Sequence, residues 1–255
     1  MNTVKVKNVV IGQGIPKICV SIIGTTKEDI LASANKLRAV PHDLVEWRAD
    51  WFDDVFDFDS VKNTLEELRK ILGDTPILFT FRTANEGGEK AIDKDIYKTL
   101  NSNVIATGLA DIVDVELFTG DEYVKDIISL AHSNDVKVVV SNHDFDKTPN
   151  KDEIIKRLCT MQDLGADIPK IAVMPNSKKD VITLLAATEE MASNYANQPI
   201  VTMSMASAGL VSRLSGEAFG SAITFGALEK ASAPGQISAS NLSKVLNIIH
   251  GVMEQ

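Results

Sequence analysis

Lys170, His143 and Glu86 are the residues of this chain whose types and settings could carry covalent acid–base chemistry. Lys170 opens the apolar run Lys170-Ile171-Ala172-Val173-Met174. A buried amine, desolvated and set near other cations, is nucleophilic at neutral pH. His143 follows Val138-Val139-Val140-Ser141-Asn142 and precedes Asp144, the setting of an acid–base group at a strand end. Glu86, in Thr83-Ala84-Asn85-Glu86-Gly87-Gly88, lies just past another β-rich run and could reach His143 to orient it. Together they suggest one reaction type. The amine attacks a ketone or aldehyde, the protonated imine acts as electron sink, and the histidine moves protons at the adjacent carbon. Each also has a plainer reading: a snorkelling surface lysine, a hydrogen-bonded core histidine, a solvated loop glutamate. The histidines His42, His132, His143 and His250 do not gather at strand ends, so no zinc or iron site built from several histidines is expected, and no metal is required.

More charges lie inside β-rich runs. Leu44, Glu46, Arg48 and Asp50 share one face of their run, and Val45, Trp47 and Ala49 share the other. If the apolar face meets helices, Glu46 and Arg48 point inward. Thr80 and Arg82 take the same face of the next run, and Asp114 and Glu116 alternate with Val113, Val115 and Leu117. Burying one unpaired charge costs on the order of several kcal/mol, so this cluster is either an ion-pair network or a polar active site. Further on, Arg213 is suited to gripping a carboxylate in a two-pronged bond. The stretch Ala231-Ser232-Ala233-Pro234-Gly235-Gln236 offers a lid or an ordinary loop, with Ser232 and Gln236 as hydrogen-bonding groups.

The elements that must position these residues are short β-rich runs alternating with amphipathic stretches. The runs cover 17–23, 44–49, 77–81, 112–117, 136–142, 170–174, 200–205 and 222–228. Helical patterns cover 60–72, 120–133, 151–164, 178–194 and 238–253; Val61, Leu65, Leu68 and Leu72 form one such face. Eight alternations without a linker predict one α/β domain over 1–255, a (β/α)₈ barrel. Most of the charged residues then sit near strand C-termini, the catalytic face of that fold. The rival is a doubly wound open sheet, whose nucleotide-binding form needs G-x-G-x-x-G after its first strand. Here Gly12-Gln13-Gly14 lacks the third glycine and precedes the first run. Residues 3–6 and 8–11 predict a β-hairpin closing the barrel bottom.

Composition narrows the class further. The chain has 255 residues, 44% hydrophobic and 24% charged, as globular chains do. Its net charge of -9 argues against duplex nucleic acid and anionic membrane surfaces as partners. No run reaches the roughly 20 apolar residues of a membrane span, and residues 1–17 hold no signal-peptide core, so a cytoplasmic location is expected. Cys19 and Cys159 lie in apolar stretches and read as small buried hydrophobes.

In order and spacing, several segments resemble the type I 3-dehydroquinate dehydratases, lysine-imine enzymes of the shikimate pathway. They are Glu46-Trp47-Arg48-Ala49-Asp50, Thr80-Phe81-Arg82-Thr83, Asp114-Val115-Glu116-Leu117, Ser141-Asn142-His143-Asp144-Phe145, Lys170-Ile171-Ala172, Met203-Ser204-Met205, Ser212-Arg213 and Ser232-Ala233-Pro234-Gly235-Gln236. The resemblance runs from residue 16 to about 236. It implies that Lys170 forms a Schiff base with the C3 ketone of 3-dehydroquinate. It implies that His143 removes a C2 proton and then protonates the departing C1 hydroxyl, with Glu86 orienting it. Arg213, Ser232 and Gln236 would bind the substrate carboxylate. Glu46, Arg48 and Arg82 would address the ring hydroxyls, with Ser21 nearby. It further implies no cofactor and a homodimer. The residues alone leave open a class I aldolase, also lysine-imine, and a non-catalytic carboxylate-binding barrel.

Overall fold

The computed structural model describes residues 2–228 and 233–254. Two short strands come first, β1 (Val4–Val6) and β2 (Val9–Ile11), paired antiparallel with Val4 opposite Ile11. Eight strands follow: β3 (Lys17–Ile22), β4 (Leu44–Arg48), β5 (Ile77–Thr80), β6 (Ile112–Glu116), β7 (Lys137–Asp144), β8 (Ile168–Val173), β9 (Val201–Ser204) and β10 (Ile223–Gly226). Each runs parallel to the next, and β10 returns to pair with β3. The seam between β9 and β10 closes through a bridge from Ile200 to Ser221, where the Ala222 N–H donates to the Ile200 carbonyl at 2.8 Å. The eight-stranded barrel is therefore the fold, and the open doubly wound sheet is excluded.

The helices are α1 (Lys27–Lys36), α2 (Phe58–Leu72), α3 (Lys94–Thr107), α4 (Asp121–Ser133), α5 (Lys151–Asp163), α6 (Lys178–Asn194), the short α7 (Leu210–Leu214) and α8 (Gly216–Phe219), and α9 (Ala239–Met253). Their starts follow from local chemistry. Thr26, Asp57, Asp93, Asn150, Ser177 and Ser238 each accept a first-turn backbone N–H, satisfying donors that the helix leaves without partners. Among the described residues no helix is long and apolar enough to cross a membrane.

Strand alternation sorts the side chains into two cores. Val20, Val45, Trp47, Phe79, Val113, Val115, Val138, Val140 and Ile171 face outward and pack with helix residues such as Ile30, Leu65 and Leu158. The inward residues at the strand starts, Cys19, Leu44, Leu78, Ile112, Val139, Ile168, Val201 and Ile223, form an apolar floor with Val4, Val6 and Ile11 of the hairpin. The hairpin thus closes the barrel bottom, as its sequence predicts. Above the floor the inward positions turn polar: Ser21, Glu46, Thr80, Asp114, Ser141 and Lys170 are all buried.

Two boundaries differ from the sequence expectation in ways that move site residues. β8 begins at Ile168, so Lys170 stands inside its strand, opposite Ser141. Pro169 reads as a break, but its fixed φ suits an extended strand and it withholds only one ladder donor. β7 continues through His143 to Asp144, so the histidine rides on the strand rather than just beyond it.

Candidate active site

The polar positions converge on a cavity of about 120 Å³ at the C-terminal end of the barrel. Of the residues singled out from sequence, Glu46, Arg48, Arg82, Glu86, His143, Lys170, Arg213 and Gln236 line it. Ser21 does not: its hydroxyl donates to Glu46 at 2.5 Å, behind the wall. Ser232 lies outside the described residues.

Lys170 and His143 occupy adjacent strands. Lys170 pairs with Ser141 and His143 with Ala172, so the imidazole stands two positions nearer the mouth than the amine. The charged groups nearest Nζ are carboxylates, not the cations anticipated from sequence. Asp114 Oδ2 lies at 3.2 Å and Glu46 Oε1 at 4.0 Å, with the Phe225 ring 4.7 Å away. Burial pushes the Asp114 carboxyl up, but Arg82 and Lys170, with a hydrogen bond from Ser141, hold it below the usual range. Arg82 donates to Asp114 and Glu116 at 2.9 Å each and to Ser141 at 3.0 Å. Burial opposes its charge, and Asp114, Glu116 and Glu86 more than offset that. Asp114 and Glu116 therefore balance Arg82, while Asp114 also holds Lys170.

Glu86 sits in a one-turn helix, Ala84–Glu86, that folds back over β7. The turn ends at Gly87, whose φ of +81° falls in the left-handed region. A Cβ there would stand 2.3 Å from the Phe145 ring. The turn brings Glu86 Oε2 to 2.9 Å from His143 Nδ1 and to 2.9 Å from the His143 backbone N–H, which donates to it. With Nδ1 turned to the carboxylate, Nε2 is the ring nitrogen offered to the cavity. Burial pushes the Glu86 carboxyl up to about 8; Glu116 adds to this, while Arg82 and the Asn142 and His143 donors oppose it. His143 is pushed well below the ordinary histidine value by burial, then by Arg82, Lys170 and Arg48. The imidazole is therefore neutral, and when Glu86 is ionised and takes the Nδ1–H, Nε2 is free to accept a proton.

Arg213 faces the pair from α7. It is 2% exposed, and among the described residues no carboxylate lies within ion-pair distance of it. Its Nη2 donates to the Pro234 carbonyl at 3.2 Å, and burial lowers its pKa to about 10. A buried cation without a counter-ion is a site for an anion. Arg48 is gripped from below by Asp50, with Nε and Nη2 donating at 2.8 Å each. Asp50 also accepts the Arg82 and Glu89 backbone N–H groups at 3.3 and 3.2 Å. Alternation places Asp50 on the inner face, but nothing in the sequence marks it as the clamp for Arg48. Met203, Met205, Phe145 and Phe225 supply apolar wall; of these only Phe225 lies outside the segments that carry the resemblance.

Fold and site define a (β/α)₈ barrel with a polar site at its C-terminal face, built around a buried lysine, a neutral histidine and a buried arginine that has no carboxylate beside it among the described residues. The chain belongs to the type I 3-dehydroquinase family, whose model matches residues 18–253. It is 56% identical over 247 residues to the 3-dehydroquinate dehydratase of Clostridioides difficile (strain 630), covering 97% of each chain. It is also 56% identical over 250 residues to that of Listeria innocua, covering 98% of this chain and 99% of the other. It superposes with TM-score 0.96 and 55% identity on a crystal structure of type I 3-dehydroquinate dehydratase from Clostridium difficile with covalently modified comenic acid. That match covers 98% of this chain and 99% of the other.

Proposed function

We propose that this chain converts 3-dehydroquinate to 3-dehydroshikimate through an imine on Lys170. The observation that carries the reading is the placement of a buried lysine beneath a neutral histidine whose Nδ1 is held by Glu86. Lys170 Nζ attacks the C3 carbonyl and water leaves, giving the protonated imine. His143 Nε2 takes a proton from C2, and the electron pair is held in the enamine. Collapse of the enamine breaks the bond from C1 to its hydroxyl, and the histidine returns its proton to the departing oxygen. Water then hydrolyses the imine, releasing product and free Lys170, for a net loss of one water.

Arg213 binds the substrate carboxylate in this reading, with Gln236 and Ser232 supplying hydrogen bonds. Glu46, Arg48 and Arg82 face the ring hydroxyls, and Ser21 holds Glu46 in place. The names of the relatives support the substrate, and the covalently modified ligand of the Clostridium difficile structure supports a covalent route. A sugar-phosphate aldolase would need a phosphate site; Arg213, with the Ser-Ala-Pro-Gly-Gln loop beside it in sequence order, fits a carboxylate better. The shikimate-pathway role, the homodimer and the cytoplasmic location belong to the same proposal and rest on the family.

The test is intact-protein mass spectrometry after adding 3-dehydroquinate and sodium borohydride, followed by peptide mapping. A ligand-sized mass gain on Lys170, absent from Lys170→Met, is the expected result. His143→Ala still forms the adduct but stalls before elimination. An active enzyme that yields no adduct refutes the imine route, and near-parent turnover by His143→Ala refutes the acid–base assignment.

A further inference from the structure

Behind the Glu86–His143 pair, away from the substrate cavity, lies a cleft lined by Asn142, Phe118, Asp144 and Arg157. Asn142 follows Val138 and Val140 onto the outer side of β7, where α5 covers the barrel. Its Nδ2 donates to Glu86 Oε1 at 3.2 Å. Its Oδ1 accepts from Arg157 Nη1 at 2.9 Å. Arg157 is fixed from several sides. Its Nε donates to Glu153 at 2.8 Å, Asp144 lies 3.8 Å from Nη1, and its guanidinium stands 5.4 Å from the centre of the Phe118 ring.

The chemistry of these groups gives the chain a direction. A guanidinium only donates, so the amide must present its oxygen to Arg157. An amide whose oxygen is so engaged must present its NH₂ to Glu86, and an ionised carboxylate only accepts. Without Arg157 only Glu86 holds the amide, so the NH₂ hydrogen bond weakens and the turned-over form, with an oxygen lone pair against the carboxylate, gains population. We infer that Arg157 and Asn142 are positioning residues for the proposed elimination, a relay that keeps an NH₂ donor on Glu86 and so holds Glu86 in the form that orients His143. The inference rests on the role of the Glu86–His143 pair proposed above.

The other groups facing Glu86 do not depend on this relay. Arg82 Nη1 lies 3.5 Å from its Oε2, Glu116 opposes its charge, and the His143 backbone N–H donates to it. Loss of Arg157 removes only the support for the amide's hydrogen bond, one of three donated to the ionised carboxylate. Glu86 then ionises at higher pH, and His143 loses its orientation at neutral pH while keeping it in alkali.

The test is the pH profile of kcat and kcat/KM for Arg157→Met, using 3-dehydroquinate. The acidic limb is expected to move up by about half to one pH unit. At pH 7, kcat falls about three- to tenfold with KM within about twofold, and turnover returns toward the parent value near pH 9. Arg157→Lys, which keeps a charge and a donor, falls between parent and Arg157→Met. In an Asn142→Ala background Arg157→Met produces no further shift, because the effect runs through the amide. Asn142→Asp keeps the acceptor for Arg157 but places an oxygen beside Glu86, so it moves the limb up even where Arg157→Met folds poorly. An equal loss at every pH, an unmoved limb, or additive effects of Arg157→Met and Asn142→Ala overturns the relay. Glu86→Gln, measured in parallel, separates the two layers. If it retains parent turnover, the Glu86–His143 reading itself fails; if it loses turnover while Arg157→Met leaves the limb unmoved, only the relay falls.

Discussion

Replacing Arg213 by methionine should make the protein more stable and the enzyme worse. The guanidinium is 2% exposed, and burial lowers its pKa from the ordinary arginine value to about 10. At about 1.4 kcal/mol per unit, that depression amounts to roughly 3 kcal/mol of unfavourable desolvation in the folded, unliganded protein. The sign is set by linkage. Below about pH 10 the folded and unfolded chains both carry the proton, so the penalty is present in full at pH 7 and is relieved only as pH rises through 10. Methionine removes the charge and keeps most of the volume. The hydrogen bond to the Pro234 carbonyl is lost, at about 1 kcal/mol, leaving a net gain of roughly 2 kcal/mol. For a chain of this size that raises Tm by roughly 4–8 °C. A substrate carboxylate, by contrast, loses a desolvated charged partner worth about 3 kcal/mol, so kcat/KM falls by roughly two orders of magnitude. Calorimetry and steady-state kinetics on parent and variant at pH 7 decide the matter. A lower Tm for Arg213→Met refutes the desolvation argument, and an unchanged kcat/KM refutes the carboxylate assignment.

Three further outcomes follow from the geometry. Because burial lifts Glu86 to about 8, and a protonated Glu86 donates to His143 Nδ1 and so moves the ring N–H to the cavity side, kcat/KM should rise with pH through a midpoint near 8. A profile flat from pH 6 to 9 would sink that assignment. The same raised value means that the folded state holds this proton more tightly than the unfolded one, so Glu86 lowers stability progressively as pH rises from about 4.5 to 8. Gly87→Ala puts a side chain on a φ of +81° and against the Phe145 ring, at a cost on the order of 1–3 kcal/mol. Either Tm drops accordingly or the turn shifts Glu86 off His143 and kcat drops; parent values for both would refute the account of this turn.

Much of this arrangement is legible in the sequence because a strand has period two. Glu46 and Arg48 interleaved with Val45 and Trp47, or Asp114 and Glu116 with Val113 and Val115, state which side is core and which is cavity. What alternation cannot state is which inward groups meet across the barrel. Arg82 is read as a contact for the ring hydroxyls, yet its donors go largely to Asp114, Glu116 and Ser141, residues 32 to 59 positions away. Ser21 is read as near the substrate and is found serving Glu46. Lys170 reads as the start of its strand only because Pro169 breaks the apolar run, while the ladder carries on through it. Asn142 and Arg157 are silent for another reason. One lies near the end of the outward face of a strand and the other on a helix 15 residues later, so neither has a pattern of its own.

The hairpin and the ring of strand-start residues give the barrel the character of a vessel with a single doorway. Cys19, Leu44, Ile112, Val201 and their neighbours fill one end with hydrocarbon, and neither a polyhydroxylated acid nor a water molecule has reason to pass through it. All traffic therefore uses the end where Arg213 and Gln236 stand. The water released by dehydration, the departing product and the incoming substrate all pass through that end, and product and substrate take the same seat in turn. Val4, Val6 and Ile11, which never approach the chemistry, thus decide from which side the site is filled and emptied.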